Sequence, residues 1–321
     1  MLFIISPAKK MVDAGDAFAW RDMSRFLPQT RELLDALRSL SYDEAKALWK
    51  CSDALAALNY ERVAHMDIDA GAACTPAVFS YEGIQYQNMA PQVMTENQLE
   101  YLQQHLRILS GFYGVLSPFD AVVPYRLEMQ AKLAVGDARD LYGFWGPLLF
   151  EALADELMRQ VEGGAGGSGG EGDADACRNG ERLCDDVSRS GAGGCQAESG
   201  GFCGSGSDRA DEIGGSAGGC APSEPVIVNL ASVEYAKAVL PYAKAAAGEG
   251  LPVRVLTCLF GTMRDGKFVQ RSTEAKAARG TFVRWCAENA VERTADFKRF
   301  DAAGYVFDRA LSTDDSFVFV H

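Results

Sequence analysis

The feature that most constrains this chain is a stretch that cannot build a core. Between Val161 and Glu224 the sequence holds 19 of its 33 glycines and 5 of its 9 cysteines, with very few large apolar side chains. Such a segment buries too little apolar surface to offset the entropy of ordering it. It is expected to be a disordered insertion, and a long surface loop costs little extra in closure. The folded core must therefore come from the flanks. Strand and helix patterns interleave on both sides, which predicts one mixed α/β domain over 1–321, interrupted at 161–224, rather than two domains.

Charge is unevenly distributed. The net charge is −13, and 161–224 carries −8 of it, from 12 acidic and 4 basic side chains. Residues 225–321 carry 13 basic and 11 acidic side chains, a net of +2. Overall acidity thus leaves room for a local basic patch. No apolar run approaches a membrane span. The N-terminal MLFIISPAKK has neither the basic region nor the cleavage site of a secretory signal. A cytoplasmic protein with no membrane partner is expected.

The cysteines do not suggest a metal. Cys177, Cys184, Cys195, Cys203 and Cys220 contain no C-x-x-C pair and no neighbouring His. Cys51, Cys74, Cys258 and Cys286 sit among apolar residues and are expected in the core. No metal and no cofactor are expected.

The flanks carry ordinary globular signals. LFIIS (Leu2–Ser6) and PVIVNLA (Pro225–Ala231) read as buried strands. Thr30–Leu40 places Leu33, Leu34, Leu37 and Leu40 on one helical face. Ser41–Glu44 and Thr95–Gln98 are capping boxes, each opening a helix. The second helix would continue through Leu99, Leu102, Leu106 and Leu109, with Gly111 as its C-terminal cap. Ser117-Pro118 would open another helix, giving helix, hairpin, helix around LSGFYGVLSPF. Pro76–Tyr86 reads as a strand with a turn, and Ser232–Tyr242 as a helix ended by Pro241. Asp265-Gly266 marks a hairpin between Val253–Gly261 and Lys267–Gln270. Thr273–Asn289 reads as a helix, and Tyr305–Asp308 and Ser316–Val320 as closing strands.

No known catalytic signature is present: no G-x-S-x-G, P-loop, H-E-x-x-H or dinucleotide fingerprint. The three histidines are His65, His105 and His321, and His105 is expected at the surface or rim. Polar clusters remain. Ser6 and Lys9 follow the first strand, where α/β sheets place ligand groups. Arg126 and Glu128 sit between apolar residues and form either a site or a structural ion pair. Asn229, Ser232 and Glu234 follow a later strand, although Ser232 also suits an N-cap. Arg264–Arg284 carries a net charge of +4, and Lys276, Arg279 and Arg284 share one helical face. Such a stripe is either a phosphate-binding face or a solvated one.

Together these motifs resemble the YaaA family of peroxide-stress-resistance proteins. The resemblance rests on SPAKK, YEGIQYQNMAP (Tyr81–Pro91), HLRILSGFYGVLSPFDAVVPYRLEM (His105–Met129), DLYGFWG (Asp140–Gly146), VIVNLASVEYAKAV (Val226–Val239) and AKAARGTFVRW (Ala275–Trp285). It spans essentially the whole chain outside the insertion. It implies an α/β domain of unusual topology with a helix-hairpin-helix element and a basic cleft. It also implies sequence-independent binding of double-stranded DNA and limitation of iron-dependent oxidative damage. Ser117 stands where the family pattern usually has Arg.

Two functions follow as expectations. In the first, Gly111 and Gly114 hold DNA phosphates while Lys9, Arg126, Lys276 and Arg279 line a basic cleft. In the second, Ser6, Lys9, Arg126, Glu128, Asn229 and Glu234, with Ser232 beside them, form the small-molecule pocket of an enzyme. An open groove favours the first and a pocket of a few hundred cubic ångströms the second.

Overall fold

The computed structural model describes residues 1–13, 18–69, 74–165 and 225–321. The five cysteines of the glycine-rich segment, and its expected disorder from 166 to 224, lie outside the described residues. Eight strands form the central sheet. They are β1 (Leu2–Ile5), β2 (Leu106–Ser110), β3 (Gly114–Leu116), β4 (Val226–Asn229), β5 (Arg254–Arg264), β6 (Lys267–Val269), β7 (Val306–Thr313) and β8 (Ser316–Val320).

The sheet order is β7-β8-β5-β4-β1-β2-β3, with β6 alongside β5. β8, β5, β4, β1 and β2 run parallel. Three antiparallel hairpins, β2–β3, β5–β6 and β7–β8, decorate this core. β1 and β4 are buried along their whole length, as the unbroken apolar runs LFII and VIV require of inner parallel strands. The chain leaves β1 for β2 on one side and β4 for β5 on the other. Strand order therefore reverses between β1 and β4, and their carboxyl ends flank a crevice of the kind that binds ligands in α/β sheets.

Helices pack around this sheet. They are α1 (Leu27–Arg38), α2 (Tyr42–Trp49), α3 (Asp53–His65), α4 (Ile84–Met89), α5 (Glu96–His105), α6 (Leu148–Ala165), α7 (Leu240–Gly248) and α8 (Ser272–Glu288). α1 buries Leu33, Leu34 and Leu37, as its spacing predicts. The capping boxes at Ser41 and Thr95 both form, each with its reciprocal hydrogen bonds. α8 buries Ala278, Phe282, Val283 and Cys286. It also crosses α4 so closely that a Cβ on Gly280 would collide with the carbonyl oxygen of Gln85. That crossing sets α4 beside the polar face of α8.

The expected helix-hairpin-helix does not form. α5 stops at His105, and Leu106–Ser110 is strand β2. The 3–4 spacing of Leu102, Leu106 and Leu109 fits a helix, but Leu106–Ser110 is buried throughout and pairs with β1 through Phe3–Leu106 and Ile5–Ile108. Sheet pairing outweighs spacing here. Gly111 is not a helix cap: its lack of a Cβ admits the Leu127 carbonyl oxygen, which a Cβ would meet at 2.7 Å. Ser117-Pro118 opens a turn instead of a helix. The Ser117 N–H donates to Asp120 Oδ2 at 2.9 Å, and the chain then enters a short strand, Asp120–Val122.

Smaller corrections have equally local causes. Pro76–Tyr86 holds a helical turn, Ala77–Ser80, between two-residue strands, and then the start of α4. Pro241 begins α7 instead of ending a helix, because proline is tolerated where the N–H has no helical partner. α6 runs to Ala165, past the boundary expected at Val161. His105 is buried, with Nδ1 3.0 Å from the Met1 carbonyl oxygen, and desolvation lowers its pKa. Of the four core cysteines, Cys74, Cys258 and Cys286 are buried and Cys51 is half-buried.

Candidate functional site

A cavity of about 490 Å³ opens at the crevice between β1 and β4. Ser6, directly after β1, and Ser232, just beyond β4, stand on its floor, their hydroxyls 3.1 Å apart. The Ser232 N–H donates to Ser6 Oγ at 2.8 Å, and the Tyr86 hydroxyl donates to the Ser6 carbonyl at 3.0 Å. Ser232 occupies an N-cap position, yet its side chain makes no capping hydrogen bond. It joins the two strand ends instead.

The two expected residue sets meet in this one cavity. Lys9, Arg126, Lys276 and Arg279 line it together with Ser6, Glu128, Ser232 and Glu234. Three expected residues stay outside. Asn229 is buried beneath the strand end, accepting from the Ala231 N–H at 3.1 Å and donating to Thr257 Oγ1 at 3.3 Å. Gly111 and Gly114 are buried in the β2–β3 hairpin. The Phe112 and Tyr113 N–H groups of that turn donate to Ser110 Oγ at 3.1 and 2.8 Å, so they are not offered to a phosphate. Arg284 pairs with Glu288 at 2.7 Å, away from the cavity.

The hairpin backs the cavity wall. Ser110 Oγ accepts two N–H groups, so its hydroxyl donates to Tyr125 Oη at 2.6 Å. Tyr125 in turn lies 2.9 Å from the Tyr81 hydroxyl, and burial pushes its pKa up to about 12. Gly111 packs against the backbone of Leu127, Glu128 and Met129. The glycine-rich motif thus holds the segment bearing Arg126 and Glu128.

The cavity's charges are unequally satisfied. Glu128 is held by Lys9 at 2.8 Å and by Arg126 at 3.0 Å, and Glu82 by Lys10 at 2.7 Å. Glu234 accepts from the Gln130 N–H at 3.3 Å, and desolvation raises its pKa. Arg279 has neither a carboxylate partner nor a hydrogen-bond acceptor among the described residues; burial lowers its pKa, and its Nε is buried and unpaired. Arg126 Nε and Gln85 Nε2 are likewise buried without acceptors. Three of the six such atoms among the described residues thus belong to this one lining. Each orphaned donor costs about 1–3 kcal/mol. Lys276, one turn before Arg279 on α8, has no ion-pair partner among the described residues and is exposed. The cavity therefore carries an excess of positive charge at α8, beside three unsatisfied donors.

Sequence reasoning did not select Glu82, Gln85, Tyr86 or Tyr125. Gln85 and Tyr86 lie in YEGIQYQNMAP, a motif that marks the family without showing which side chains turn inward. Among the described residues no group of three or more His, Cys, Asp or Glu is placed to hold a metal ion, and no helix is long and apolar enough to cross a membrane.

The model of the peroxide stress protein YaaA family matches residues 1–163 and 212–311, on both sides of the glycine-rich segment. This chain belongs to that family. It is 39% identical over 320 residues to a UPF0246 protein of Pediococcus pentosaceus, covering 100% of this chain and 98% of the relative. It is 37% identical to UPF0246 proteins of Lachnoclostridium phytofermentans, over 320 residues, and of Lactiplantibacillus plantarum, over 321 residues. Those matches cover 100% of this chain and 96% and 99% of the relatives respectively. The family match spans β1 and α8, the elements that bring Ser6, Lys276 and Arg279 to the cavity.

Proposed function

We propose that this peroxide stress protein works by binding a small anionic molecule, a phosphate or carboxylate, in the cavity between β1 and β4. The observation that carries this reading is Arg279, a half-buried guanidinium in the cavity lining whose charge meets no carboxylate among the described residues and whose Nε is buried without an acceptor. A buried cation without a counter-charge is costly, and an anion that enters with matching acceptors turns that cost into affinity. Lys276 on the preceding turn adds a second cation to the same lining. Glu234 lines the same cavity, and burial raises its pKa, which supports a role in exchanging a proton with such a ligand.

Calorimetric titration of the full chain with inorganic phosphate and with citrate tests the reading. At least one should bind, and the double variant K276M/R279M should weaken binding tenfold or more while keeping its melting temperature. Binding that survives both substitutions would remove α8 from the account. Failure of both anions to bind would overturn the anion site.

A second reading is double-stranded DNA at the cavity mouth. It rests on Lys9 and Lys10, whose side chains are 66% and 68% exposed, and on exposed Lys276. The exposed Lys10–Glu82 pair is weak enough to exchange for a phosphate, and Lys276 has no pair to break among the described residues. Filter retention of a duplex should then fall steeply with salt and disappear in K276E/R279E. Retention that ignores salt would exclude it.

A further inference from the structure

The charges lining the polar cavity do not all find partners within the protein. Five cations and three carboxylates line it. Glu128 takes Lys9 and Arg126, and Glu82 takes Lys10. Three charged side chains of the lining are left over: Lys276, Arg279 and Glu234. None of the three has an ion-pair partner among the described residues. All three are open to the same space, since Glu234 and Arg279 are half-buried and Lys276 is exposed.

The leftover carboxylate stands apart from the leftover cations. Lys276 and Arg279 come from α8, whereas Glu234 follows β4 and accepts the Gln130 N–H at 3.3 Å. Arg279 responds to its burial and to the Cys258 thiol, so the charge of Glu234 does not reach it. Desolvation raises the pKa of Glu234, and neighbouring Glu128 raises it further; the Gln130 N–H and Lys9 offset this only in part. A carboxylate so placed is short of positive charge. The cavity thus has a cationic end at α8 and an acidic end at Glu234.

We infer that the ligand of this cavity carries both charges: an amino-bearing phosphate whose phosphate sits at Lys276 and Arg279 and whose ammonium group sits at Glu234. Two leftover cations against one leftover carboxylate match a phosphate dianion joined to one ammonium. Pro7, Ala8 and Ile84 share the lining, and such side chains suit a short hydrocarbon link between the two charges. This deepens, and rests on, the reading of the cavity as an anion site.

Four probes test the inference: 2-aminoethyl phosphate and 4-aminobutyl phosphate, each against the alkyl phosphate in which a methyl replaces the ammonium, propyl and pentyl phosphate. All are titrated calorimetrically into the full chain, into Glu234→Gln and into Arg279→Met. At least one amino probe should bind the unaltered protein about tenfold or more tightly than its alkyl counterpart. E234Q keeps the shape and an acceptor for the Gln130 N–H but loses the charge, so the two members of that pair should then bind about equally. R279M should weaken every probe that binds. Thermal unfolding of each variant checks that it is folded, and the comparison within each pair on the unaltered protein needs no variant. A preference in neither pair, or one that survives in E234Q, would overturn the inference while leaving the anion site standing. Failure of all four probes to bind the unaltered protein would overturn the anion site and the inference together.

Discussion

Asp120 is the residue whose chemistry departs most usefully from the ordinary. Burial pushes its pKa up to about 7, even though it accepts the Ser117 N–H and feels the Arg107 charge. In the unfolded chain it titrates near 4. Between about pH 4 and 7 the folded protein therefore keeps a proton that the unfolded chain has lost. Stability from this group is full below about pH 4, falls as pH rises, and is gone above about 7. Asn cannot ionise, and its carbonyl can still accept from Ser117. D120N should thus melt only slightly higher than the unaltered protein at pH 5 and several degrees higher at pH 8. Thermal unfolding at both pH values is the check. An equal loss of melting temperature from pH 5 to pH 8 in both proteins would rule Asp120 out as its source.

Among elements, the β2–β3 hairpin and α8 do most to build the cavity, and they were unequally legible in the sequence. The helical character of α8 and the shared face of Lys276 and Arg279 follow from the 3.6-residue period, because an exposed amphipathic helix records its environment in its own spacing. β1 and β4 were equally plain, since the unbroken apolar runs LFII and VIV suit inner parallel strands. β2 was not, because its leucines satisfy a helical period as well as a strand, and only pairing with β1 decides between them. Gly111 misled for a related reason. A glycine required by the close approach of Leu127 looks, in sequence, like one required by a turn. Gly111→Ala would place a Cβ 2.7 Å from that carbonyl oxygen. It should cost about 1–3 kcal/mol by overpacking and, by shifting Arg126 and Glu128, weaken phosphate binding. Gly143→Ala, whose Cβ meets nothing closer than 3.7 Å, should leave both unchanged. Urea unfolding and phosphate titration of the pair measure it, and indifference of G111A in both would sever the hairpin from the site.

At the scale of the whole molecule, the glycine-rich segment divides the sequence but not the sheet. β1 lies between β2 from its own flank and β4 from the other, with Phe3 paired to Leu106 on one side and to Val228 on the other. The cavity is divided in the same way: Ser6, Lys9, Arg126 and Glu128 come from the first flank, and Ser232, Glu234, Lys276 and Arg279 from the second. Neither flank owns a complete core. Without the second, Leu2, Phe3 and Ile4, all fully buried, lose the strand and helix that cover them. Each large apolar side chain so uncovered forfeits roughly 1.5–3 kcal/mol, and a few such losses exceed the 5–15 kcal/mol that holds a typical domain together. Fragment 1–165 should therefore unfold without a cooperative urea transition, and so should fragment 225–321. Mixed or co-expressed, the two should regain a single transition and phosphate binding together, because the surfaces that complete the sheet also complete the cavity. A cooperative transition in either fragment alone would show that one flank is a domain in its own right. The cavity would then be an interface between two domains, and its ligand would be expected to bring them together.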